Sequence, residues 1–200
     1  MVQLKTVGER PSPRPAGRPR DTALDEAILA AALLQLGERG YDGMSLEGVA
    51  ATAGTTVPSL RRRYRGKHQL TVAAIDSIRI EPPPRTRGDP RTDALAMLQN
   101  LRANMLKRNA MATLATILAE ERRNPELLEH YRQQVVEPQR ERLRQALSRG
   151  VAAGQLPATL DLDAAVSLLI GGCYASYLHT RRIPATWAET ALATVWPPPT

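Results

Sequence analysis

Five basic residues and no acid fall between Thr55 and Leu70: Arg61, Arg62, Arg63, Arg65 and Lys67. Guanidinium groups offer forks of N–H donors that match phosphate oxygens and the edge of guanine, so the chemistry open to this run is recognition of nucleic acid. Arg61, Arg62 and Arg63 are consecutive and, on a helix, fan out at about 100° steps, so they cannot all face one way. With Leu60 and Tyr64 turned inward, one turn apart, Val57, Pro58, Arg61 and Arg62 point largely away from the protein. A solvated basic face on an ordinary helical hairpin is the plainer alternative.

The elements that hold this run are two short helices joined by a tight turn, SLEGVAATAGTTVPSLRRRYRGK (Ser45–Lys67). Leu46, Val49, Ala50 and Ala53 repeat at i, i+3, i+4 and i+7, one apolar helical face. Ser45 stands where an N-cap belongs. The capping box is incomplete, because Gly48 occupies the place of its Glu or Gln. Gly54 suits the left-handed end of the first helix, Thr56 caps the second, and Pro58 lies in its first turn, where a proline costs no hydrogen bond. A protruding helix with a dipole-positive N-terminus and this charge fits a DNA major groove. Upstream, residues 22–37 read as helix 1, with Leu29, Ala32, Leu33 and Leu36 in register; Gly40 and Gly43 bracket the turn that follows, and Tyr41 plugs the three-helix core. Lys67 to about Ile80 read as helix 4.

This half of the chain resembles the N-terminal domain of the TetR-type transcriptional regulators. The resemblance runs from about Gly17 to Ile78 and rests on the GRPR lead-in, A-x-x-L-x-x-x-G-x-x-G-Y, the V-A-x-x-A-G turn, the S-L-R-R-R-Y helix with Pro58 and Ser59 in its first turn, and the following K-x-x-L. Members commonly carry a tyrosine after the leucine of the recognition helix; here that place is Arg61, so specificity does not carry over. The resemblance implies that Lys67 touches a phosphate at the groove edge. The residues assigned to DNA are Arg18 and Arg20 in the lead-in, Ser45, Thr55, Thr56, Val57, Pro58 and Ser59 at the helix starts, and Arg61, Arg62, Arg63 and Lys67. From about Asp93 the chain is similar in outline to the helical C-terminal domains of the same family. That implies a repressor released from a palindromic operator by a small molecule, in a bacterial cytoplasm and on the nucleoid when bound to DNA.

Composition is consistent with this. The 200 residues carry a net charge of +7, which favours a polyanionic partner. Residues 1–20 read as a disordered basic arm, with Lys5, Arg10, Arg14, Arg18 and Arg20 against Glu9. Such an arm either condenses onto phosphates and lays arginines in a minor groove, or is a solvated tail. No apolar run spans a bilayer and the N-terminus lacks the apolar core of a signal peptide, so no membrane partner is expected. The lone Cys173 fits a reducing cytoplasm and a buried, unreactive role.

The fold class expected is all-α, about nine helices in two parts. Residues 21–80 form the DNA-binding domain, the Pro-rich 81–92 a stiff linker, and 93–200 a larger helical domain for dimerisation and effector binding. Helix 5 spans Asp93–Arg108. Helix 6 spans Ala110–Arg123, with Met111, Leu114 and Leu118 inward and Glu120 to Arg123 on a solvated face. Helix 7 starts at an Asn124 cap and is kinked or restarted at Pro138. Helix 8, Asp161–Thr180, is apolar nearly all round. One face goes to the core; the other, Ala164, Leu168, Gly171 and Ala175, is assigned to a second subunit, with Trp187, Ala191 and Val195 of the last helix. Leu101, Met105, Met111, Leu118, Tyr131, Tyr174 and Tyr177 are either core or the lining of a pocket for an apolar or aromatic effector.

No metal-ligand set, phosphate loop or nucleophile–base pair is present, so neither a cofactor nor an enzyme is expected. Two other readings stay open at this point: a DNA-coating architectural protein that binds through charge alone, and a helical interaction dimer whose basic helix meets an acidic protein.

Overall fold

Helix starts and stops in this chain are set by individual residues. The computed structural model describes residues 22–78, 88–107 and 109–197, and among these every regular element is helical. They are α1 (Thr22–Gly43), α2 (Leu46–Thr52), α3 (Val57–Arg63), α4 (Lys67–Asp76), α5 (Pro90–Met105), α6 (Ala110–Ala119), α7 (Pro125–Tyr131), α8 (Glu137–Ala152), α9 (Leu162–Thr180) and α10 (Trp187–Val195). A π-helical turn, Arg132–Val136, carries α7 into α8 without a break, so these make nine rods.

α1 runs past Gly37 and breaks at Gly40, whose φ of 71° sits in the left-handed region open to glycine. α5 starts three residues before the expected place. Pro90, expected to forbid helix, instead opens it, because its missing N–H would have no intrahelical partner there and Asp89 caps Arg91 N and Thr92 N. α6 stops at Ala119 rather than Arg123. Glu120 is buried rather than solvated, and its Oε2 accepts from Asn124 Nδ2 at 2.7 Å, so Asn124 does not cap α7 as expected.

Two apolar cores result. The first gathers Ile28, Leu36, Val49, Leu60, Leu70 and Ile75 from α1 to α4, and takes in Ile117 of α6 and Leu127 of α7. The second gathers Leu98, Leu143, Leu147, Val166, Leu169 and Trp196 from α5, α8, α9 and the residue after α10. α6 therefore lies across α1, not inside the second core. Its buried positions are Thr113 and Ile117, while Leu118 is 49% exposed, which corrects its inward assignment. The crossing is tight: a Cβ on Gly37 would stand 2.8 Å from Asn109 Cβ, and Thr116 Oγ1 donates to Leu36 O at 3.1 Å.

Candidate nucleic-acid interface

The helix that carries the arginines is set by two caps and one buried leucine. Ser45 Oγ accepts Gly48 N at 3.0 Å and starts α2; Gly54, with φ 66°, ends the turn after it; Thr56 Oγ1 accepts Ser59 N and starts α3. The missing member of the capping box comes from another helix. Gln35 of α1, 3% exposed, accepts Ser45 N–H at Oε1 (3.4 Å). Gly48 has no side chain because Gln35 fills its place: a Cβ there would lie 2.5 Å from the Gln35 amide. α2 is thus capped across the helix junction and held in register with α1.

Leu60 is fully buried and Tyr64 half-buried, so α3 turns Thr56, Pro58, Arg61 and Arg62 to solvent. Five residues assigned to DNA are wholly or partly committed elsewhere. Arg63 Nε meets Asp25 Oδ1 of α1 at 2.6 Å, and its Nη1 donates to Ser59 Oγ at 2.9 Å, so Arg63 and Ser59 brace α3 against α1. Val57, expected to point away, is half-buried against the first core because the first turn of α3 leans on it. Thr55 is half-buried too, and Ser45 spends its oxygen on the cap. Lys67 donates to Tyr41 O (2.9 Å) and Asp42 O (3.3 Å), 4.7 Å above the centre of the Tyr41 ring. Two of its three N–H groups are thereby used, and the third can still reach a phosphate. The Tyr41 phenol is pushed above its ordinary range, by burial first and then by Glu120, Glu126 and Asp42, so it stays protonated. Arg18 and Arg20 lie outside the described residues.

Residues 28–74 match the family model described as bacterial regulatory proteins, tetR family, and residues 84–195 match the Tetracyclin repressor-like, C-terminal domain. The chain belongs to the TetR family. It is a helix-turn-helix, DNA-binding transcriptional regulator. It is 31% identical over 166 residues to the HTH-type transcriptional regulator Rv1556 of Mycobacterium tuberculosis, covering 82% of this chain and 79% of that one. It is 32% identical over 143 residues to the DNA-binding transcriptional repressor TetR of Mycobacteroides abscessus, covering 68% and 72%. Among solved structures it shares its fold with FadR of Bacillus subtilis in complex with stearoyl-CoA (TM-score 0.70, 15% identity, 88% of this chain and 100% of that one). MexZ of Pseudomonas aeruginosa is similar at TM-score 0.66 and 24% identity, over 88% and 92%.

In this TetR-family regulator a cavity of about 290 Å³ lies where α1 meets the second half. Four of the seven effector candidates, Leu101, Met105, Tyr131 and Tyr174, line it. Met111 and Tyr177 do not; they pack against the second core. Leu118 faces solvent. Sequence reasoning missed the walls given by Leu33 and Leu34 of α1 and by Asn109, because it assigned α1 wholly to the reader's own core.

The second face of α9, assigned to a second subunit, is exposed at Ala164, Leu168, Gly171 and Ala175, and Leu178 extends the stripe; Leu168 is 71% and Leu178 76% exposed. Trp187 is buried and Ala191 and Val195 pack on the second core, so α10 faces inward and is removed from this patch. Cys173 is buried on the opposite side of α9, and burial pushes its thiol up to about 12. Among the described residues no helix is long and apolar enough to cross a membrane, and no cluster of ligands suits a metal ion.

Proposed function

We propose that the regulator is a homodimeric repressor that reads an approximate palindrome through the exposed face of α3 and leaves it when a small, mostly apolar effector fills the cavity beside α1. The observation that carries the reading is the sorting of the basic residues. Arg63 and Lys67 are tied to α1, whereas Arg61 and Arg62 extend from a helix whose opposite side is locked by Leu60. Arg61 and Arg62 are the base readers; Thr56 and Lys67 hold phosphates and fix register. Pairing of two subunits along Ala164, Leu168, Gly171, Ala175 and Leu178 would set two readers about one helical turn apart (~34 Å). Ala164, Gly171 and Ala175 permit close helix approach, and the exposed Leu168 and Leu178 supply apolar area. The name of the M. abscessus relative supports repression. The cavity sits at the small end of ligand sites, which span roughly 300–1,000 Å³, so a compact effector suits it.

Selection of bound duplexes from a random pool at near-physiological salt tests the reading, and an enriched two-fold symmetric motif is the expected result. On that motif Arg61→Ala and Arg62→Ala each lose about 1–3 kcal/mol of discrimination, whereas Lys67→Ala weakens all sequences alike. Equal losses on cognate and random DNA for both arginine variants would remove the base-reading assignment. Recovery without a motif would make the protein an architectural DNA-coating one.

A further inference from the structure

This inference rests on the cavity being the effector site. We propose that the effector is an apolar molecule bearing one acceptor oxygen, a carboxylate or a carbonyl, and that the Asn109 amide anchors that oxygen. Among the described residues the cavity wall contains no aspartate or glutamate, and Lys107 is the charged residue that lines it. The wall therefore suits a neutral or anionic molecule and disfavours an amine. Leu33, Leu34, Leu101, Met105 and Val135 line it, which sets an apolar body.

The polar residues of the wall are not equivalent. Asn104 spends Nδ2 on Asn100 O at 2.9 Å. Asn109 borders the cavity, and among the described residues its buried Nδ2 finds no acceptor. A buried donor left unmet is rare and costly. Asn109 also holds a left-handed conformation (φ 64°, ψ 3°) at the start of α6, yet its side chain does not cap that helix. Asparagine enters that region more readily than other side-chain-bearing residues, so this backbone sets where the amide stands without marked strain. Its stem is fixed by contact with α1 at Gly37, so the amide is positioned before the ligand arrives. Tyr131 and Tyr174 also line the cavity, and their phenols are close enough to influence one another. Burial raises both phenols, so they act as neutral donors. The π-helical turn brings Tyr131, Val135 and Gln139 onto the same wall; such turns recur at binding sites.

The test uses the full-length protein and three matched probes: naphthalene-2-carboxylate, its carboxamide and 2-ethylnaphthalene, measured by calorimetry. Two variants accompany the wild type. Asn109→Gly removes the amide while accepting the left-handed backbone without strain; Asn109→Asp keeps the shape but replaces the donor by a negative oxygen. The expected result is that both acceptor probes bind the wild type roughly tenfold or more tighter than the hydrocarbon. Asn109→Gly should erase that margin and leave the hydrocarbon unchanged, and Asn109→Asp should reject the carboxylate most. A carboxylate preference over the carboxamide would assign Lys107 as a charge partner; equal binding would assign a neutral carbonyl. Equal binding of acceptor and hydrocarbon probes to the wild type overturns the proposal, as does a uniform loss across probes in Asn109→Gly. Binding of none of the three removes the cavity as an effector site and this proposal with it, while operator recognition is judged separately by the duplex selection.

Discussion

The two cores of this molecule differ in helix length and in where their polar braces sit. In the reader, short helices are pinned by directional bonds that cross between elements: Gln35 to Ser45 N–H, Arg63 to Asp25, Lys67 to the carbonyls of Tyr41 and Asp42. In the second core, longer helices interdigitate around apolar side chains, and the polar braces run along the edge: Arg149 to Asp93 at 2.5 Å, Arg102 Nε to Ile183 O (3.0 Å) and Pro184 O (2.8 Å), and Gln99 to Glu189 (2.7 Å); inside, the Trp196 ring lies so close to Gly150 that a Cβ there would stand 2.2 Å away. Directional bonds fix an angle, which a groove-reading helix needs. Apolar packing fixes volume, and it tolerates a cavity at its border, which an effector site needs.

The largest test of this contrast is Trp196→Ala. Loss of a buried indole that fills the space above Gly150 should cost about 3–5 kcal/mol in denaturant unfolding. If the two regions are as distinct as described, amide exchange should rise in α8 and α9 before it rises in α2 and α3. Gln35→Ala should cost about 1–3 kcal/mol, because it opens a buried space and strands Ser45 N–H. Amide exchange at Ser45–Val49 should quicken, and operator affinity should fall although Gln35 touches no DNA. Unchanged exchange there would mean that α2 does not depend on its cross-helix cap. Gly37→Ala strikes the border itself: the new methyl meets Asn109 and Thr113, so about 1–3 kcal/mol of overpacking is expected, with an altered response to any effector. Arg63→Ala is the smallest, about 0.5–1 kcal/mol for a partly exposed ion pair, read as a shift in midpoint. It should leave base discrimination intact; a loss equal to that of Arg62→Ala would make Arg63 a reader.

What the sequence disclosed follows the same division. Ser45, Gly54 and Thr56 act locally, on backbone groups two to five residues away, so their roles were legible from residue type and spacing. The stripe of Ala164, Leu168, Gly171 and Ala175 was legible because small residues recur at helical period. What stayed hidden depended on neighbours distant in the chain. Leu118 and Trp187 fit an apolar face equally well whether that face met the core or solvent, and only the crossing of α6 over α1 and the inward turn of α10 decided it. Gln35 left a faint trace: one amide in register with Ile28 and Ala32, and a glycine where the capping box lacks its third position. Asn109 left none, because an asparagine ahead of a helix reads as a cap.

α1 serves both halves of the molecule. One face completes the reader with Ile28, Ala32 and Leu36, and another offers Leu33, Leu34 and Gly37 to the cavity and to α6. Regulators of this architecture invite recombination, in which one protein's DNA specificity is joined to another's effector response by cutting in the Pro-rich segment. Here such a hybrid would inherit a mismatched seam, with a foreign α6 laid over a glycine notch shaped for Asn109 and Thr113. A working exchange would have to carry the outward residues of α1 along with the effector half, so the unit of transfer in this protein is an interface and not a stretch of chain.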